Sequence, residues 1–374
     1  AHFVHRFIFK TSLFLGLLPF KYNREKNTFR LSRFALSYSI VMNSLIFFWV
    51  VKNWPDMSNY ELFIEKPLHY IVEIAITYVN SVGMVLLFCT TWTGRKRLLA
   101  LFNEIVAVKQ LCDAKDFLRN YDASKQEKRI IVKFCSMLLQ NLVFVMAMFF
   151  VSSIQDWSFI LVLILAMIML NEMYLISNQF YHNALFINHS ILAVNHRLRC
   201  LSTKRQPASA GEINDIFGVY MRLIRLIAQI MKAYEQQLLV IISVRLSVVV
   251  QCLFYTCMLF GGKELNVQML DLLYYLEIIL LTSLDYWLIM GICESVWRAQ
   301  QQTEVELQNF SNFHILQTRV AIDINTFSIF CTIHKFRFPL CGMFDINFAT
   351  ARNLCTSVMT ALLWLVQYDF SLNM

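Results

Sequence analysis

A chain of 374 residues that is 57% hydrophobic and only 16% charged, with 32 Phe and 17 Met, is composed for a bilayer. Soluble domains carry about 25% charged residues, so a water-soluble globule is excluded. The formal charge of +8 could suggest a nucleic-acid surface, but the basic residues lie between apolar stretches and form no continuous patch.

In chain order, the opening segment has an apolar core at residues 11–20. This is too short to span and suits an interfacial or docked helix. Pro19 and the cluster Lys21, Arg24, Lys26, Arg30 and Arg33 argue against a cleaved leader there. The first span is read at 34–51 and the second at 67–92, followed by a charged segment with helical periodicity. The third span, 130–152, is separated by a short link around Asp156 from the fourth, 157 to about 189. That fourth element exceeds one crossing, so its polar tail, from Asn178 through His182 and Asn188 to Arg197, is expected to project beyond the membrane as helix. Residues 202–212 collect Pro, Gly, Ala and Ser and read as the clearest loop. Leu223, Ile227, Ile230, Tyr234 and Leu238 then recur every three or four residues, giving an amphipathic helix that leads into a fifth span at 239–260. The sixth span is read at 270–296, and a polar tract separates it from the last, 344–370.

Lys and Arg number 7 before span one, 10 between spans two and three with Lys133 at the head of span three counted in, 7 between four and five, and 4 between six and seven. The remaining links hold only Lys52, Lys66 and Lys263. The positive-inside rule therefore sets the N terminus and the large links in the cytosol and the C terminus outside. The triplets Asn188-His189-Ser190 and Asn309-Phe310-Ser311 would then stay unglycosylated. The ten cysteines lie almost entirely within spans or basic links and show no paired metal-ligand spacing, so they read as apolar fillers or reduced thiols.

The final span is not uniformly apolar. Asn353, Ser357, Thr360, Trp364 and Gln367 recur every three or four residues with Thr356 beside them, while Leu354, Val358, Leu362, Leu365 and Val366 take other sides. Two readings stand: the wall of a wet pore, or a polar seam between packed helices. Ionisable residues inside spans are the other signal, because each costs several kcal/mol unless paired or hydrated. Glu73, Glu277, Asp285 and Arg245 are such residues, and Arg245 is expected to pair with Asp285. The outer halves of spans two to six carry His69, Tyr70, Glu73, Gln251, Tyr255, Tyr274, Tyr275 and Glu277, the aromatic and polar mixture of a small-molecule pocket, although each alone also fits a membrane-interface residue. No phosphate loop, metal-binding His pair or nucleophile with its base is read, and no cofactor is implied. His182, His189 and His196, seven residues apart, stand about 10 Å apart along a helix, too far to share a metal.

The C-terminal end resembles the signature of insect gustatory receptors, in which Thr-Tyr, five apolar residues and Gln-Phe follow one another. Here the corresponding run is Thr360-Ala361, residues 362–366 and Gln367-Tyr368, with Ala361 and Tyr368 departing from the pattern. Residues 15–23 resemble the family's N-terminal pattern, and length, seven spans and inverted topology fit from end to end.

The resemblance implies an all-α membrane protein with seven helices, a cytosolic N terminus and an extracellular C terminus. Helices four to six would extend into a cytosolic anchor domain, and helix seven would line the pore of a tetramer. The corresponding divisions are 1–33 cytosolic, 34–297 the ligand-binding bundle, 298–343 the anchor segment and 344–374 the pore helix with the outer terminus. It implies a ligand-gated, non-selective cation channel of chemosensory plasma membranes, homotetrameric or heteromeric. Such a channel passes monovalent and divalent cations, sits among membrane lipids, and has no nucleic-acid partner. Gln367 and Tyr368 match the gate positions; Asp369 would place carboxylates at the outer mouth, or else be a solvated end residue. Relative shortness within the family favours a bitter compound or contact pheromone over a sugar as tastant. The alternatives are an odorant-receptor-class subunit, distinguished by need for a co-receptor, and a transporter, distinguished by turnover without conductance.

Overall fold

The computed structural model of the chain describes residues 2–23, 25, 27–52, 67–114, 124–151, 157–203, 210–260, 269–311 and 318–372. Among the described residues, nine helices run in the order α1 (His2–Phe14), α2 (Arg33–Lys52), α3 (Pro67–Ala114), α4 (Ser124–Val151), α5 (Trp157–Thr203), α6 (Ala210–Phe260), α7 (Met269–Ser311), α8 (Thr318–Ile333) and α9 (Phe348–Leu372). Two short antiparallel hairpins interrupt them, β1 (Phe20–Asn23) with β2 (Thr28–Leu31), and β3 (Pro339–Leu340) with β4 (Phe344–Asp345).

Five described stretches are long and apolar enough to cross a bilayer: Ile74–Ala114, Gln126–Met146, Gly211–Phe260, Leu272–Phe310 and Phe348–Ser371. The expected first and fourth spans, at 34–51 and 157–189, include side chains outside the described set. Overlong helices were expected at the fourth to sixth spans, and α5, α6 and α7 do run for 47, 51 and 43 residues. A fourth joins them. The second span and the first part of the charged segment after it, as far as Ala114, are one 48-residue helix, α3. At 1.5 Å per residue these helices are about 65–77 Å long, twice the thickness of a hydrocarbon core.

α3 and α6 lie antiparallel in steady register. A Cβ at Gly83 would collide with Val244 Cγ2, Thr91 Oγ1 accepts from Gln237 Nε2 at 2.9 Å, and a Cβ at Gly94 would sit 3.9 Å from the Ala233 carbonyl. Gly83 therefore marks the close helix approach, and Gly94, with room for a side chain, does not break α3. α5 runs parallel to α7, joined by Asn195 Nδ2 donating to the Ala299 carbonyl at 2.8 Å and by Thr303 Oγ1 donating to Asn195 Oδ1 at 2.7 Å.

Apolar side chains are buried unevenly along the bundle. One continuous core gathers Ile191, Val194 and Leu198 of α5 with Ile213, Ile216, Tyr220, Leu223 and Ile230 of α6, Val296 and Leu307 of α7, and Ile324 and Phe327 of α8. Gln300 is 1% exposed and ties this region together. It donates to the carbonyls of Cys331 and His334, both at 3.1 Å, and accepts from the Phe336 amide. At the other end a separate, smaller cluster holds Leu68, Val72 and Ile76 of α3, Phe254, Tyr255 and Met258 of α6, and Leu362 of α9.

The N-terminal helix is docked, as expected, but it occupies 2–14 and not 11–20. Gly16 at φ +74 ends it, and the chain then turns into the first hairpin, which Asn27 closes at φ +46. Ser12 accepts from Gln179 Nε2 at 2.8 Å, fastening α1 to α5, and Asn103 of α3 pairs with both backbone groups of Phe29. The last helix, by contrast, begins later than expected. Residues 344–345 pair with β3, and Asn347 caps α9, its Oδ1 accepting from the Thr350 amide at 2.8 Å.

Candidate functional site: the exposed flank of α9 and the aromatic cluster behind it

α9 is two-sided. Val358 and Leu362 are buried, with Ala351, Leu354, Leu365 and Val366 packed beside buried clusters, and Phe348 stacks on Trp287 of α7 at 4.7 Å between ring centroids. On the opposite flank Asn353, Thr356, Ser357, Thr360, Trp364, Gln367 and Tyr368 are exposed, Trp364 to 71% and Tyr368 to 53%. Among the described residues the polar stripe therefore does not form a seam inside the chain's own bundle. Its hydroxyls bond back along the helix: Thr356 to the Arg352 carbonyl at 3.1 Å, Ser357 to Asn353 at 3.0 Å, and Thr360 to Thr356 at 2.9 Å. These groups need no outside partner. The amides of Asn353 and Gln367 make no hydrogen bond among the described residues, so they require water or a neighbouring chain.

Asp369 departs from the expected arrangement. It was read as a carboxylate at the mouth or a solvated end residue, yet it is only 5% exposed and faces inward while Gln367 and Tyr368 face out. The helical turn explains this, because one or two residues rotate a side chain by 100° or 200° about the axis.

Behind α9, part of the expected ligand set comes together. The Tyr255 and Tyr275 rings lie 5.6 Å apart, Tyr274 and Tyr275 6.1 Å, and Gln251 Nε2 reaches Tyr255 Oη at 3.5 Å. Tyr255 belongs to the same cluster as Leu362, and Tyr275, Leu365 and Val366 pack against it. An aromatic wall with a few polar tips thus rests directly on the buried side of α9. Glu277 stands partly exposed on α7 and makes no hydrogen bond or ion pair among the described residues. The side chains of His69, Tyr70 and Glu73 lie outside the described ones, though their backbone opens α3.

Toward the middle of the bundle Arg245 Nη1 pairs with Asp285 Oδ2, as the sequence suggested. Lys133 of α4 was missed: it pairs with Asp285 Oδ1 and is fully buried. It had been counted with the basic link before span three, because Lys128 and Arg129 precede it closely. The available signal was its place after Ile130, Ile131 and Val132, inside the apolar run.

A separate cavity of about 20 Å³, lined by Gly16, Ser39, Asn43, Thr91, Arg95 and Glu172 among others, has room for a water but not for a tastant. Among the described residues no group of three His, Cys, Asp or Glu side chains gathers as a metal would require.

A helical membrane bundle with a docked N terminus, overlong central helices and a two-sided last helix defines a class. The profile of the 7tm chemosensory receptor family matches residues 5–372, and the chain belongs to that family. Within it the chain is related to insect gustatory receptors: the gustatory receptor for bitter taste 22e of Drosophila melanogaster is 23% identical over 372 residues, covering 96% of this chain and 93% of the relative. The fold matches the insect olfactory receptor OR5 from Machilis hrabei in complex with eugenol, with a TM-score of 0.68 and 12% identity over 98% of both chains. It also matches the structure of OR5 alone, at a TM-score of 0.66 and 13% identity.

Proposed function

We propose that this chain is a gustatory receptor that works as a ligand-gated cation channel, opened by a small molecule arriving from outside. The observation that carries the reading is the orientation of α9. Its apolar side rests on the aromatic cluster of α6 and α7, and its amides and hydroxyls are turned out of the subunit. Unpartnered amides at membrane depth are costly against lipid, and a water-filled axis shared by four copies satisfies them. In such a ring Asn353, Ser357 and Thr360 line the path, and Gln367 with Tyr368 closes it by narrowing and dewetting, beside Trp364. The K/R asymmetry of the links supports a cytosolic N terminus and an anchor half built from α5 to α8 in the cytosol of a chemosensory neuron.

The tastant occupies the outer aromatic region formed by Gln251, Tyr255, Tyr274 and Tyr275, with Glu277 on the same helix and His69, Tyr70 and Glu73 on α3. A ligand that displaces Tyr255 or Tyr275 presses on Leu362, Leu365 and Val366 and so on the pore helix. The name of the bitter-taste relative supports a bitter compound over a sugar. The test is whole-cell current from cells expressing the chain at the surface, challenged with bitter and sugar panels. A bitter-evoked cation current that is reduced or altered in selectivity by Thr360→Leu or Gln367→Leu is expected. Current–voltage relations unchanged in both variants would overturn the pore assignment.

A further inference from the structure

Three charges are sealed where α4, α5, α6 and α7 meet. Asp285 accepts from Lys133 of α4 through one oxygen and from Arg245 of α6 through the other, and Ser177 of α5 donates to it at 3.3 Å. The side chains of Lys133, Asp285 and Arg245 are 0%, 5% and 8% exposed. Two cations thus share one carboxylate, and ring faces take up the excess: Tyr174 lies 4.5 Å from the Arg245 guanidinium and Tyr181 5.6 Å from the Lys133 ammonium. Burying such a group is expensive, and what it does is fix four helices at one level.

That level divides the bundle. On α6, Arg245 and Tyr255 are ten residues apart; on the antiparallel α7, Asp285 and Tyr275 are also ten apart. Both cross-pairs touch, so the aromatic pair hangs about 15 Å from the charge cluster on two helices in register. Tyr286 Oη confirms the register by donating to the Ile242 carbonyl at 2.9 Å. On one side of the charges α6 and α7 belong to the large core, and on the other, among the described residues, they join the separate small cluster.

We propose that Lys133, Asp285 and Arg245 form a fulcrum: a fixed ionic pivot that separates the immobile half of the bundle from an outer half that rearranges around ligand. Arg245 and Lys133 are positioning residues for the Tyr255–Tyr275 pair. The ligand-responsive part rests on the reading under Proposed function, whereas the division into two halves does not.

The charge count makes the test specific. Lys133→Met and Arg245→Met each leave one cation facing one carboxylate and are expected to fold, whereas Asp285→Asn leaves two unpaired cations and is expected to be lost from the surface. Hydrogen exchange on the purified full-length protein reads the pivot without any ligand. Arg245→Met is expected to speed exchange about tenfold at amides 246–260 and 272–284, with 213–234 unchanged, and Arg245→Lys to restore most of the protection. Lys133→Met reports the same loss on 272–284 if Arg245→Met cannot be recovered. Uniform acceleration along both helices, or none in either Met variant, overturns the proposal. In the functional arm, quinine is applied to cells carrying wild type or Arg245→Met; a shifted half-maximal concentration with an unchanged current–voltage relation supports the pivot. An unshifted response refutes its role in gating. Absence of current in the wild type refutes the channel reading and leaves the exchange result to decide on the pivot.

Discussion

Substituting Gly83 by Ala sets two effects of opposite sign against each other. Alanine in a helix is favoured over glycine by up to about 1 kcal/mol. Against this, the new Cβ collides with Cγ2 of Val244, a buried β-branched side chain whose rotamer is nearly fixed in a helix, so it cannot swing aside. The helices must part, which costs about 1–3 kcal/mol. The collision wins, and Gly83→Ala is expected to destabilise by about 1–2 kcal/mol. On a Val244→Ala background the colliding methyl is absent, and the next atoms, Val240 Cγ1 at 3.6 Å and residue 244's own Cβ at 3.8 Å, make ordinary contacts. There the same substitution is expected to be neutral or stabilising, giving a coupling energy of about 2 kcal/mol. The assay is the apparent melting midpoint of the four detergent-purified variants, at about 2 °C per kcal/mol for a chain this long. Equal effects of Gly83→Ala in both backgrounds would refute the close α3–α6 approach and with it the register that aligns the outer cluster.

Other outcomes follow from buried groups. Gln300→Leu strands three backbone groups in the last turn of α8 and just beyond it, each worth about 1–3 kcal/mol when buried unpaired, and should abolish recovery of folded protein on size exclusion. Burial pushes the Cys331 thiol up to about 12, with the Tyr220 hydrogen bond pulling the other way. Its folded pKa therefore exceeds the unfolded one, its contribution to stability is complete below about pH 9, and it is lost as pH climbs toward 12. Maleimide at pH 7.5 should accordingly label exposed Cys341 before denaturation and Cys331 only after it, as peptide mapping will show. Leu362→Ala removes the most buried of the α9 contacts with the aromatic cluster, beside Leu365 and Val366; with no transfer into water in a membrane, the cavity alone costs about 2 kcal/mol, so the half-maximal agonist concentration should move by up to about 30-fold. An unmoved dose–response curve at normal surface expression would exclude that contact from gating.

Sequence periodicity was most informative where one helix faces two solvents. The flank from Asn353 to Gln367 was visible because its polar residues return every turn, and Arg245 with Asp285 because charges inside apolar runs must find partners. Lys133 was obscured by the basic link that runs into its helix, and Asp369 by its closeness to Gln367 and Tyr368, since adjacency in sequence says nothing about shared faces. The two hairpins depend on single backbone choices, Gly16, Asn27, Cys341 and Gly342 at positive φ, which leave little trace in composition. The continuity of α3 was hidden by the change from apolar to charged at Thr93, which marks an altered environment and not an altered backbone. The meeting of Tyr255 with Tyr275, and of both with Leu362, depends on the register of antiparallel helices, which no single helix encodes.

The central claim is that ions pass along the exposed flank of α9, and the structure of the purified full-length assembly in lipid nanodiscs tests it most directly. A fourfold ring with Asn353, Ser357, Thr360 and Gln367 facing the symmetry axis is the predicted result. An assembly in which these side chains face lipid, or are buried against another helix away from any axis, would contradict it.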